Sequence, residues 1–315
     1  MAKRSVAVIL LAAIIAVVLS GCGQPKLSED TLAIVNGRPV TKDDFNTRLR
    51  IFELFFQKPM DSSASKEQVL DQMVRDLLLR DQAAEAGVKV TDEQVENEMA
   101  RFFGALDRQY LTRDEVNRKL AELGLTNDQI AAFLKDFLVG QAMVEKKKAA
   151  VQTTDEELRA YYEQKKDTLY NYREDVIRAA HILVPLDQAG KAQEIAAKAK
   201  AGGDFAELAR LYSVDPDSAR LGGDLGYFTR DSMVKEFADA AFGMDPGRTS
   251  DPVQTEFGWH IILVKDRQGA GLLSYEKVHD DVLNRVLSEK QEREYQQWLS
   301  ELEKGAKITR PGSAG

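Results

Sequence analysis

Apolar side chains recur through the first half of this chain at helical spacing, with charged residues between them. Phe45, Leu49, Phe52 and Phe56 fall at i, i+4, i+7 and i+11, and Ile130, Leu134 and Leu138 repeat every four residues. Val69/Leu70, Met73/Val74 and Leu77/Leu78 do the same in pairs. Each stripe predicts a helix that must bury one face. Six starts share one signature, a Ser or Thr followed three residues later by an acid or Gln: Thr41/Asp44, Ser65/Gln68, Thr91/Gln94, Thr112/Glu115, Thr126/Gln129 and Thr154/Glu157. Such pairs satisfy orphan N–H groups at a helix N-terminus. Gly87 and Gly124 stand where C-terminal caps belong, and Pro59 separates the first two helices. The starts are unevenly spaced, which argues against a fixed-period repeat. Ahead of them, Ala33–Val35 and Arg38–Val40 flank Asn36-Gly37, a strong hairpin signal.

From Val176 to Arg267 the texture becomes mixed. Val176–Val184 predicts a strand, Ala189–Lys200 and Phe205–Leu211 helices, and Met233–Phe242 a short helix after a glycine-rich loop around Gly222–Gly226. Val253–Thr255 and Trp259–Lys265 predict a closing hairpin. Ser274–Lys304 predicts one long helix with Val278, Val282, Val286, Tyr295, Leu299 and Leu302 on a stripe that needs cover, expected from the N-terminal helices. The expected class is α+β. A helical domain of residues 31–173 is completed by a C-terminal helix, 272–305, and carries an α/β module, 176–267, with a small antiparallel sheet.

Composition narrows the function. A length of 315 residues makes two domains the prior, and 43% hydrophobic content can bury both. With 51 acidic and 43 basic side chains the formal net charge is −8, which argues against nucleic acid as a partner. Cys22 is the one cysteine, so no intrachain disulfide or thiolate cluster exists. Lys3 and Arg4 precede the apolar run Val6–Leu19, which is shorter than the ~20 residues of a spanning helix and suits a secretory signal or uncleaved anchor. Leu19-Ser20-Gly21-Cys22 resembles the lipobox of bacterial lipoproteins. That resemblance implies removal of residues 1–21, acylation of Cys22, a tether over 22–30 and a lipid bilayer as partner. The membrane would be an extracytoplasmic face, the outer membrane's periplasmic side or the outer side of the cell membrane.

Candidate chemistry is sparse because only His181, His260 and His279 are histidines. His181 lies in one predicted strand and His260 in another, and central pairing of the two would let neutral imidazoles bond to each other in the interior. For a single strand histidine a satisfied core residue is the commoner reading. His279, beside Asp280 and Asp281, reads as solvated. Asp215 sits in an Asp-Pro turn. Two histidines and a carboxylate also form a metal-ligand set, but no spacing here requires an ion.

His181-Ile182-Leu183-Val184, Gly203-Asp204-Phe205-Ala206-Glu207-Leu208-Ala209, Tyr212-Ser213-x-Asp215, Gly222-Gly223-Asp224-Leu225-Gly226 and Gly258-Trp259-His260-Ile261-Ile262 together resemble the parvulin family of peptidyl-prolyl cis/trans isomerases. The layout of hairpin, helical region, module and closing helix resembles extracytoplasmic foldases of the PrsA and SurA type. The resemblance implies an FKBP-like α/β fold, no cofactor, no metal, and unfolded or newly exported polypeptides as substrates. It implies His181, Asp215 and His260 as the catalytic set. Leu225, Met233, Phe237 and Thr255 would be the substrate-binding set, with Thr255 behind the histidines. Val234 stands where many members have Gln and Phe257 where some have Ser, so a module that only binds clients is the alternative. The loop Pro185–Lys191 has one acid and one Lys, not the basic cluster of phosphate-specific members.

Overall fold

The computed structural model describes residues 28–110 and 112–310, and these form two compact units, one of the described residues up to 150 together with 295–310 and one of residues 151–294. The expected leader, Cys22 and most of the tether lie outside the described residues.

In the first unit β1 (Thr31–Val35) and β2 (Arg38–Thr41) form the hairpin, turning through Asn36 and Gly37 at φ 49° and 84°. Two left-handed residues in succession match the twist of paired strands. Thr41 caps α1 (Lys42–Phe56) by accepting the Asp44 N–H. The second cap falls on Ser62, not Ser65, because α2 (Ser63–Glu85) begins one turn earlier and the Ser65 N–H is the donor that Ser62 satisfies. Thr91 caps α3 (Asp92–Tyr110), and Thr112 caps α4 (Arg113–Leu123), which stops at Gly124. Thr126 and Gln129 cap α5 (Asn127–Ala149) reciprocally. One core joins Ile51, Leu54, Leu106, Val116 and Ile130, and another joins the hairpin's Val35 and Val40 to Leu49, Val74 and Leu78.

The second unit opens with α6 (Asp155–Leu169), capped by Thr154 and Glu157, and β3 (Asn171–Tyr172). Then come β4 (Val176–Val184), α7 (Ala189–Lys200), α8 (Phe205–Tyr212), α9 (Pro216–Arg220) and β5 (Asp224–Thr229). After α10 (Lys235–Phe242), β6 (Val253–Thr255) and β7 (Gly258–Gln268) close a four-stranded sheet of order β5-β4-β7-β6, antiparallel throughout. Ile182, Val184 and Ile261 meet Ile195 and Ala209 on one face; Ile177, Ala179 and Ile262 meet Phe237 and Ala241 of α10 on the other.

β8 (Gly271–Leu272) pairs with β3, and α11 (Tyr275–Gly305) follows. The stripe on α11 does not serve a single partner. Val278 and Val282 pack with Leu158, Tyr162 and Tyr170 inside the second unit, whereas Leu299 is buried in the first, where Lys147 lies 4.9 Å from the Trp298 ring. The expected division at residues 173–176 differs from this clustering, since α6 and the first half of α11 build a core of their own beside β4. β9 (Ile308–Thr309) finally pairs with β1, bringing the late chain back to the first hairpin.

Candidate active site

Register places the two strand histidines together. His181 pairs across β4 and β7 with Ile262, and Leu183 with His260, so both imidazoles emerge on the α10 face as diagonal neighbours. Their Nδ1 atoms lie 3.0 Å apart with rings tilted by 24°. Both residues are buried.

Asp215 comes from the loop before α9, where it is the N-cap and Pro216 supplies the first helical residue. That loop is tied to β4, since the Val214 N–H donates to the Leu183 carbonyl (2.8 Å) and the Leu183 N–H to Ser213 Oγ (3.1 Å). The Asp215 carboxylate thereby reaches His181 Nε2 at 2.8 Å. Ser218, one turn along α9, donates its hydroxyl to the same oxygen at 2.5 Å and stands 3.0 Å from His181 Nε2. Ser218 was not singled out in the sequence; the Asp-x-x-Ser spacing across a helix start is the signal that would have found it.

The network assigns the protons. An ionised Asp215 can only accept, so His181 carries hydrogen on Nε2 and presents a bare Nδ1. His260 must then donate from Nδ1, which leaves its Nε2 to accept from the Thr255 hydroxyl at 2.8 Å. Thr255 Oγ1 in turn accepts the Phe257 N–H at 3.1 Å. Burial keeps both imidazoles neutral, lowering His181 despite the opposing pull of Asp215 and lowering His260 to about 4 with help from His181. Burial alone would raise Asp215, yet hydrogen bonds from Ser218 and His181 bring it below its ordinary value.

Phe237 is buried beside the pair, its edge-on ring 5.9 Å from His181 and 5.2 Å from His260. Leu225, Met233 and Val234 are half-buried around the same cluster. All the expected site residues therefore converge except Cys22, which lies outside the described residues. Phe257 is 62% exposed at the β6–β7 turn, and His279 sits on α11 with its side chain 41% exposed. Among the described residues no cluster of three His, Cys, Asp or Glu is arranged to hold a metal ion.

Residues 162–268 match the family described as PPIC-type PPIASE domain, and residues 1–115 the SurA-like N-terminal domain. With the fold above, this defines a parvulin-type peptidyl-prolyl isomerase joined to a SurA-like helical domain. The foldase protein PrsA of Caldanaerobacter subterraneus subsp. tengcongensis is 31% identical over 327 residues, spanning 97% of this chain and 96% of that protein. The PrsA foldase of Halalkalibacterium halodurans is 35% identical over 219 residues, 69% of this chain and 62% of that protein. The crystal structure of PrsA from Bacillus subtilis covers 90% of this chain and 95% of its own at 25% identity and a TM-score of 0.46. The chain belongs to the PrsA family of foldases.

Proposed function

We propose that this foldase rotates peptidyl-prolyl bonds of unfolded exported polypeptides by a non-covalent route. The reading is carried by one observation, a closed run of hydrogen bonds from Thr255 through His260 and His181 to Asp215, set beside buried Phe237. Rotation about X-Pro faces a barrier of about 18–20 kcal/mol because amide resonance must be lost. Phe237, Leu225 and Met233 hold the pyrrolidine ring while the preceding carbonyl swings. Dry surroundings disfavour the charge-separated resonance form of the amide, and the site binds the twisted amide more tightly than either planar isomer. His181, His260 and Asp215 set the polar floor beneath it, and no step calls for a nucleophile.

In this reading residues 1–21 are removed and acylated Cys22 anchors the protein at an extracytoplasmic membrane face through the tether of 22–30. Among the described residues no helix is long and apolar enough to cross a membrane. The working division is 31–173 for client binding, 176–267 for isomerisation and 272–305 for the closing helix. Phosphate before proline brings no advantage, since Lys191, in the first turn of α7, is paired with Glu194 at 3.1 Å.

A protease-coupled assay on proline tetrapeptides tests the proposal. His181→Ala and Phe237→Ala are each expected to lower kcat/KM by about tenfold or more, equivalent to ~1.4 kcal/mol of lost transition-state binding. Equal rates are expected for serine-proline and phosphoserine-proline peptides. Absence of turnover by the unaltered protein, with aggregation suppression intact, would instead establish a holdase whose module only binds. Mass spectrometry of the mature protein should find a lipid adduct on Cys22.

A further inference from the structure

The helical unit contains a cleft of about 380 Å³ bounded by β2, α1, α2 and α5. Half-buried Leu77 and Phe133, backed by buried Ile51 and Met73, give it an apolar wall. Arg48 and Arg80 also line it, but both are already neutralised, Arg48 by Asp76 at 2.7 Å and Arg80 by Asp136 at 2.7 Å. Asp43 and Asp44 line the same cleft from the exposed first turn of α1. Among the described residues no cation pairs with either, so the cleft carries two surplus negative charges beside an apolar lining.

Phe133 links the cleft to an aromatic rim. It stacks on Phe137, which is 49% exposed, at 6.5 Å, and Phe52 bridges it edge-on to Phe56, which is 53% exposed. A folded protein exposes such contiguous aromatic surface where something docks. Charge and surface together specify the occupant.

We propose that this cleft binds an extended segment of unfolded polypeptide in which a Lys or Arg lies beside apolar or aromatic residues. The basic head meets Asp43 and Asp44, and the apolar neighbours cover Phe133, Phe137 and Phe56. The opposite charge is refused, because a client carboxylate placed there meets two aspartates with both arginines already engaged. This rests on the client-binding reading above and gives it a site and a selectivity. The acid excess of the whole chain, net −8, favours approach of the same basic segments.

Fluorescence anisotropy of labelled proline-free peptides on the full chain tests it without engaging the isomerase module. A peptide alternating Lys and Phe should bind about tenfold or more tighter than the same peptide with Glu for Lys, and the difference should shrink with added salt. Asp43→Lys reverses one surplus charge, and Ala132→Trp, at an exposed position lining the cleft, fills it. Each should weaken the Lys peptide by about tenfold while tetrapeptide isomerisation is unchanged. Equal binding of the two peptides, or Lys-peptide binding untouched by both substitutions, overturns the proposal. Failure of the isomerase assay with selective binding retained would count against the catalytic reading alone.

Discussion

Two imidazoles facing each other through Nδ1 at 3.0 Å need one donor and one acceptor between them, so at most one can be charged, and burial disfavours even that. Burial lowers His260 from the ordinary 6.5 to about 4 and lowers His181 as well. The folded protein therefore refuses protons that the unfolded chain accepts between 6.5 and about 4. Stability from the pair is complete above that window and falls as pH drops through it, by on the order of 3 kcal/mol for His260. Isomerase activity is expected to follow the same sense, level above neutrality and declining toward pH 4. Ser218→Ala removes one of the three hydrogen bonds, from Ser218, His181 and the Asp217 N–H, that hold the Asp215 carboxyl below its ordinary value, so burial of that carboxyl is less well opposed. Its acid limb should shift upward. The measurement is kcat/KM against pH for both proteins; activity rising toward acid would sink the neutral-pair account, and coincident acid limbs would sink the role given to Ser218.

At the scale of elements, the β4–β5 junction is a close backbone approach beside the site. Gly223 has φ +83°, and a Cβ there would lie 2.4 Å from the His181 carbonyl oxygen and 3.2 Å from Ala209 Cβ. The His181 N–H meanwhile donates to the Gly223 carbonyl at 2.8 Å, so neither backbone can withdraw. Gly223→Ala should cost about 1–3 kcal/mol in strain and displaced backbone, and should lower activity by moving His181. Gly140, inside α5, is the contrast: a Cβ there meets only Leu79 at 3.7 Å and 4.0 Å. Gly140→Ala should stabilise by roughly 0.5–1 kcal/mol through the unfolded state. Urea denaturation gives both signs, and a stabilising Gly223→Ala would remove the steric argument. These elements also mark what the chain's pattern discloses. The capped helices and the apolar β4 and β7 are legible because each satisfies its own termini or periodicity. β5 is not, since Asp224-Leu225-Gly226 has poor strand propensity and becomes a strand only through its ladder to β4. α9, five residues long behind Asp-Pro, is too short for periodicity and reads as a turn, which hid Ser218. The histidine pair and Asp215 were legible through a family pattern spread along the chain; their hydrogen-bond order required the register.

For the molecule as a whole, α11 is the element whose two halves do different work. Residues up to Glu294 belong to the unit that holds the histidines, and residues from Tyr295 to the unit built on the first hairpin. A chain ending after Glu294 would keep Val278 and Val282 in their core with Leu158 and Tyr162. It would keep every residue of the candidate active site. The first unit would lose buried Leu299, the Arg75–Glu303 ion pair, the cation over Trp298 and the whole of β9. Burial of Leu299 alone contributes about 1.5–3 kcal/mol, whereas the exposed ion pair adds little. β1 would become an edge strand with unpaired backbone on the side that β9 covers. The truncated protein is expected to retain tetrapeptide isomerisation within about twofold. Its β1 and α2 amides should exchange with solvent much faster than those of β4 and β7, because the lost contacts all belong to one of the two units. Hydrogen exchange read segment by segment, alongside the isomerase assay on the same preparation, separates the outcomes. Loss of isomerisation together with uniform loss of protection would mean that stability is not partitioned between the two units.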